Sequence, residues 1–115
     1  MSPRARDRKD LFPGALEMMI LQVLRRQALH GYGLVQHIQR TSNDLLRVEE
    51  GSLYPALQRL LKAGYVSARW SVSASGRRVR SYQLTPAGRK HLEREVSSFE
   101  QMLEGIRLVL SPVKP

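Results

Sequence analysis

Apolar residues along the chain follow different spacings in different parts, which predict several helices and one pair of strands. Between residues 14 and 26 the apolar positions occupy nearly every side of a helix. A surface helix of a small monomer would show a single apolar stripe, so this first helix is expected to be covered on two sides. The domain core can cover one side, and a second subunit is the expected cover for the other.

Two further helices are predicted, one ending near Arg40 and one that starts near Glu50–Ser52 and ends at Ala63-Gly64. Residues 45–48 between them are expected to form a short extended segment. The third helix shows one apolar side on a helical wheel, which predicts its buried stripe. The stripe consists of Leu53, Leu57, Leu60 and Leu61.

A strand pair is predicted after the third helix, because residues 65–72 alternate between apolar and polar side chains. Residues 73–76 form a turn cluster, and residues 77–84 return as a second strand. Trp70 and Tyr82 are interpreted as aromatic residues of the buried side of this hairpin. Thr85-Pro86 then predicts a helix start, since a hydroxyl cap is followed by proline at the first helical position.

The last helix shows apolar residues spaced alternately by four and three positions, which is an a/d seam. The seam is shorter than a free-standing coiled coil normally needs. We therefore expect it to pack against the first and last helices of a partner chain in a homodimer. The residues assigned to this interface are Leu16, Met19, Ile20, Val23, Leu92, Val96, Phe99, Leu103, Ile106 and Leu110.

The order of these elements predicts a fold that is mainly α with a small β-hairpin (α+β). It is the order of a winged helix-turn-helix followed by a long C-terminal dimerisation helix. The expected organisation is a flexible basic arm at residues 1–10, the winged domain at residues 11–84 and the dimerisation helix at residues 85–111.

Charge is distributed unevenly along the 115 residues, which carry 19 Lys and Arg against 10 Asp and Glu. Nearly all of the net charge of +9 comes from residues 51–92, which contain basic residues but no Asp or Glu. A basic face that serves only solubility usually also carries acids for ion pairing, so this block indicates a polyanionic partner.

Two parts of this basic block are suited to duplex DNA. The side of the third helix opposite its leucines carries hydroxyl, amide and basic groups, as a helix in a major groove does. Three arginines beside the hairpin turn could enter a narrow groove or bind phosphates. The candidate DNA-binding residues are Ser52, Tyr54, Pro55, Gln58, Arg59, Lys62, Arg77, Arg78 and Arg80.

Five short motifs in the chain occur together in one protein family. They are Leu11-Phe12-Pro13-Gly14, Leu29-His30-Gly31-Tyr32-Gly33, Val48-Glu49-Glu50-Gly51-Ser52-Leu53-Tyr54-Pro55-Ala56-Leu57, Gly76-Arg77-Arg78 and Tyr82-Gln83-Leu84-Thr85-Pro86-Ala87-Gly88. With this set, the chain resembles the PadR family of bacterial transcriptional regulators over about residues 11–110. The resemblance implies a dimeric winged-helix DNA binder, usually a repressor, of the shorter subfamily with a single terminal helix.

The resemblance also implies roles for individual residues. Ser52, Tyr54 and Pro55 match the start of the family's recognition helix, Gly76 to Arg78 match its wing, and Tyr32 matches a position near the DNA backbone. Some short members bind flat aromatic drugs between the subunits with a Trp on the last helix, but here the single Trp is Trp70 in the hairpin. A pocket for a small-molecule effector near Phe99 and Met102 is therefore the weaker interpretation, and interface packing the stronger.

Other functions fit the sequence less well. The three histidines have no metal-ligand spacing and no activated nucleophile is recognisable, so neither an enzyme nor a metal or cofactor site is expected. The chain has no Cys, and its most apolar stretch, residues 16–24, is too short to span a membrane. A winged helix that binds only proteins is the main alternative. The expected protein is cytoplasmic, nucleoid-associated when bound, and blocks transcription from a near-palindromic promoter site.

Overall fold

The computed structural model describes residues 14–112, so the predicted arm at residues 1–10 lies outside the described residues. The elements are α1 (Ala15–Leu24), β1 (Leu29–His30), α2 (Gly31–Thr41), α3 (Glu50–Ala63), β2 (Val66–Val72), β3 (Arg78–Leu84) and α4 (Pro86–Leu110). This is a winged-helix α+β arrangement, which confirms the predicted fold class.

The three strands form an antiparallel sheet in the order β1-β3-β2. In the hairpin Val66 pairs with Leu84 and Trp70 with Arg80. The sequence analysis placed a short extended segment at residues 45–48, but the additional strand is β1, where Leu29 pairs with Tyr82. A strand of two residues has no periodicity of its own, and the free edge of β3 determines where it forms.

The hydrophobic core lies between α1, α2, α3, the first turns of α4 and one face of the sheet. Its largest fully buried side chains are Ile20, Leu21, Leu34, Leu53, Leu57 and Leu92. Three of the four leucines predicted to form the buried stripe of α3 are buried, and Leu61 is half-buried. Burial of one such side chain contributes about 1.5–3 kcal/mol to folding, so this stripe determines which side of α3 faces outward.

The start of α4 packs closely on the segment that joins α3 to β2. The Thr85 side chain accepts a hydrogen bond from the Gly88 N–H at 3.0 Å and donates one to the Gly64 carbonyl at 2.7 Å. The Thr85 N–H also donates to the Tyr65 carbonyl at 3.1 Å. A Cβ atom on Gly88 would overlap that carbonyl oxygen. The Leu-Thr-Pro-Ala-Gly motif therefore caps α4 and lets its backbone approach residue 65.

The far half of α4 extends away from this core. The Cα radius of gyration is 16.4 Å, whereas a compact domain of about 100 residues has a radius near 13 Å. From residue 100 to residue 112 every side chain is exposed. These exposed residues include six large apolar ones, Met102, Leu103, Ile106, Leu108, Val109 and Leu110.

Three residues assigned to the dimer interface lie in the protomer's own core instead. Leu16, Ile20 and Leu92 are all buried within the single chain, so they have almost no surface left for a partner. The physical reason is that the first seam positions of α4 dock the helix onto its own α1. The remaining assigned residues, Met19, Val23, Val96, Phe99, Leu103, Ile106 and Leu110, are half-buried or exposed in the protomer.

Candidate nucleic-acid interface

The outer side of α3 carries the polar residues that the sequence analysis selected. Because the leucine stripe faces the core, the opposite side is left open to solvent. Ser52 is half-buried, and the other five selected residues of the helix are exposed. These five are Tyr54, Pro55, Gln58, Arg59 and Lys62.

Tyr54 links the start of α3 to the start of α2. Its ring lies so close to Gly31 that a Cβ atom there would be 2.6 Å from the Tyr54 hydroxyl oxygen and 2.9 Å from Cζ. Partial burial raises the pKa of Tyr54, and the negative charges of Glu50 and ionised Tyr82 raise it further. The Tyr54 hydroxyl is therefore protonated at neutral pH and can donate a hydrogen bond.

Tyr32 lies beside this contact, in the first turn of α2. Its side chain is 55% exposed, so the ring of Tyr32 is accessible at the same end of α2 that Tyr54 touches. The residues that the resemblance assigns to DNA contact on α2 and α3 are thus brought together. The glycine at position 31 makes this possible, because any larger residue would push the Tyr54 ring away.

Arg59 is paired within the protomer, which the sequence analysis did not foresee. Its Nε atom lies 2.7 Å from the Glu17 Oε2 atom of α1. The two residues are 42 positions apart, and helical periodicity gives no information about such a distant pair. Arg59 would have to leave Glu17 to bind a phosphate, so its positive charge is less available than that of Lys62.

The tip of the hairpin is closed by backbone and side-chain hydrogen bonds. The Ser73 N–H donates to the Arg77 carbonyl at 2.8 Å, and the Arg77 N–H donates to the Ser73 hydroxyl at 3.2 Å. Gly76 has a φ of 84°, a conformation that most other residues adopt only with strain. The turn thus holds the backbone of Arg77 in place while its side chain remains exposed.

Aromatic rings lie under two arginines of the hairpin. The Arg78 Cζ atom is 4.7 Å from the centroid of the Trp70 ring, and the Arg80 Cζ atom is 5.9 Å from that of Tyr82. Tyr82 is buried as predicted. The prediction that Trp70 is a core residue is wrong, since its side chain is 58% exposed. Alternation identified its face correctly, but the hairpin extends beyond the helices that would have covered it.

A cavity of about 220 Å³ lies between α1, α3 and α4. It is smaller than most ligand pockets, which have volumes of about 300–1,000 Å³. The cavity is lined by Gly14, Glu17, Met18, Leu21, Arg59, Leu60, Ala63, Tyr65, His91 and Glu95. The pocket expected near Phe99 and Met102 does not coincide with this cavity.

Two further properties concern only residues 14–112, the part of the chain that the structure describes. Within that range, no cluster of three or more His, Asp or Glu side chains is arranged to hold a metal ion. None of the four helices there combines the length and apolar character that crossing a bilayer requires.

Comparisons with known proteins agree with this architecture. Residues 20–94 match the transcriptional regulator PadR-like family. A transcriptional regulator of Mycobacterium tuberculosis is 34% identical over 88 residues, which cover 76% of this chain and 78% of that protein. A solved transcriptional regulator from Clostridium thermocellum is 25% identical with a TM-score of 0.81, covering 89% of this chain and 96% of that one.

A solved complex of Bacillus subtilis PadR with operator DNA has a similar fold, with a TM-score of 0.64 and 23% identity. The likeness covers 71% of this chain and 46% of that one. The matched family consists of transcriptional regulators, which confirms the prediction of a DNA-binding regulator rather than an enzyme. Since the family match spans most of the described residues, this chain belongs to the PadR-like family of transcriptional regulators.

Proposed function

We propose that this protein is a repressor that binds a near-palindromic promoter site in duplex DNA as a homodimer. The observation that carries the proposal is the exposure of the basic block. The leucines of α3 face the core, so its polar side and the arginines of the hairpin remain on the surface. A bound dimer would exclude the transcription machinery from the promoter, in the cytoplasm and on the nucleoid.

The recognition helix in this proposal is α3. Ser52, Tyr54, Pro55 and Gln58 would contact base edges in the major groove, and Lys62 would contact a phosphate. Glu49 and Glu50 are exposed at the N-terminal end of α3, where carboxylates favour the helix dipole but repel phosphate. Phosphate contacts are therefore expected from Lys62, from Tyr32 and from the hairpin, which acts as the wing. Arg59 adds less because Glu17 already neutralises it.

The wing supplies the remaining positive charge through Arg77, Arg78 and Arg80, all of which are exposed. Guanidinium groups bind phosphate oxygens through two parallel hydrogen bonds and are attracted into narrow minor grooves. The Bacillus subtilis PadR of similar fold was solved with operator DNA, which supports duplex DNA as the partner here.

The homodimer is proposed from the far half of α4. Its exposed apolar residues extend beyond the seam residues Leu103, Ile106 and Leu110 to Met102, Leu108 and Val109. A contiguous apolar surface of this kind is typical of an interface. The half-buried Met19 and Val23 of α1 and Val96 and Phe99 of α4 would extend it towards the core. Two recognition helices about 34 Å apart would then meet successive major grooves.

Selection of genomic DNA fragments by the purified protein, followed by sequencing, tests this function. The expected result is an enriched inverted repeat, bound by wild type and bound weakly by an Arg77→Gln/Arg78→Gln variant. An Arg107→Gln variant, altered at an exposed arginine of α4 far from the wing, is the matched control and should select the same repeat. Recovery of no fragment even in dilute buffer would refute the proposal and leave a protein-binding winged helix.

A further inference from the structure

The wing exposes a large aromatic side chain that the proposed contacts do not use. Trp70 is 58% exposed and Val72, two residues further along β2, is 68% exposed. Both side chains lie on the sheet face that begins with the buried Val66. An exposed tryptophan next to an exposed valine forms an apolar surface patch in a region otherwise rich in charge.

Arginines border this patch on the paired strand. Arg80 stands opposite Trp70, and Arg78 stands opposite Val72. The Arg78 guanidinium lies 4.7 Å above the indole ring, so the ring restricts the conformations that its long side chain can adopt. A guanidinium stacked on a ring through its face keeps its edge N–H groups available for phosphate oxygens.

The same face of the wing is turned towards the recognition helix. Tyr82 lies on this face, directly next to the Trp70–Arg80 pair, and acts electrostatically on Tyr54 of α3. The indole is therefore on the side of the wing nearer to the N-terminal part of α3. Its position places it beside any duplex that α3 and the wing would bind together.

We propose that Trp70 is a DNA-contacting residue, whose exposed ring surface packs against deoxyribose groups while its other surface orients Arg78 towards a phosphate. Charge complementarity selects this occupant, because the patch is bordered by arginines and no Asp or Glu occurs between residues 51 and 92. Apolar and aromatic side chains are known to pack against sugars and bases where basic residues hold the backbone. The inference rests on the proposed function and adds an apolar contact to it.

The wild-type protein provides a direct test, because Trp70 is its only tryptophan. Its fluorescence emission and its quenching by acrylamide are measured during titration with duplex DNA, while the anisotropy of labelled duplex reports binding independently. The expected result is a saturable change in emission and reduced quenching, both with the stoichiometry that anisotropy gives. Vesicles of equal parts phosphatidylcholine and phosphatidylglycerol serve as an alternative polyanion.

Three variants separate the indole from the surrounding charge. Trp70→Leu is expected to weaken DNA binding about tenfold, the order of magnitude for removing one aromatic side chain that packs on nucleic acid, and Trp70→Phe is expected to recover most of this affinity. Arg69→Gln removes a charge from the residue next to Trp70, whose side chain points to the opposite face of β2. This control should leave the DNA-induced emission change intact.

The outcomes distinguish the inference from the function on which it rests. Duplex binding by anisotropy without any change in tryptophan emission or quenching would overturn the contact and leave the proposed function in place. An emission change with the vesicles but none with DNA would overturn the contact in favour of a membrane surface. Absence of any duplex binding by anisotropy would overturn both proposals.

Discussion

Gly88→Ala is a severe test of how α4 is attached to the winged domain. Gly88 lies in the first turn of α4, where a Cβ atom would overlap the carbonyl oxygen of Tyr65 and approach Leu84 Cδ1 to 2.8 Å. The obstacle is mainly backbone, which cannot rotate away as a flexible side chain could. The first turn of α4 would therefore have to move outward.

The magnitude follows from what that movement breaks. Overpacking in a well-packed site costs about 1–3 kcal/mol, and each hydrogen bond of Thr85 to residues 64 and 65 contributes about 0.5–1.5 kcal/mol. The greater helix propensity of Ala returns about 1 kcal/mol. The free energy of unfolding should thus fall by about 3 kcal/mol. Because 1 kcal/mol shifts the Tm of a domain this small by about 4–8 °C, the Tm should fall by about 10–20 °C.

Gly105→Ala is the matched control in the same helix. No atom lies within 4 Å of a Cβ built on Gly105, and this position is not part of the a/d seam. The change should stabilise the protein by about 0.5–1 kcal/mol through helix propensity alone. Thermal unfolding followed by circular dichroism, at one protein concentration for all variants, measures both effects. A Gly88→Ala protein as stable as wild type would show that α4 is not attached through this close approach.

Three further predictions concern the DNA interface. Gly31→Ala should displace the Tyr54 ring and reduce discrimination between the selected site and random duplex, which competition binding measures; unchanged discrimination would argue against base contact by Tyr54. The Arg77→Gln/Arg78→Gln variant should flatten the log–log salt dependence of affinity by about 0.9 for each phosphate that the variant no longer binds, and an unchanged slope would remove the wing from the interface. The raised pKa of Tyr54 means that its protonated form is favoured in the folded state; its contribution to stability is complete below pH 10 and disappears as pH rises through the folded-state pKa. Phenolate absorbance of wild type minus that of Tyr54→Phe should therefore show a transition above that of a free tyrosine, and a transition at the ordinary value would contradict the burial.

Periodicity allowed the main helices and the hairpin to be predicted, because each has a long enough apolar pattern to determine its type and its buried side. Residues 29–30 were missed as a strand since two residues carry no pattern. The face that carries Trp70 was predicted correctly, but its burial was not, because burial depends on which elements pack opposite that face.

Interactions between distant residues were the other limit. The ion pair of Arg59 with Glu17 joins two helices, and nothing in the local spacing of either residue indicates it. The seam of α4 was recognised, but spacing alone could not divide it into residues such as Leu92, which pack within the protomer, and residues such as Leu103, which remain exposed. Exposure of the candidate residues on α3 was predictable because a buried stripe fixes the opposite side of a helix.

Sedimentation equilibrium of the protein mixed with a duplex carrying the selected site tests the central claim most directly. We predict a complex of two protein chains with one duplex in dilute buffer, which dissociates as salt is added because salt weakens binding to phosphates. Sedimentation of the duplex with the mass of free DNA, at any protein concentration in dilute buffer, would contradict the claim.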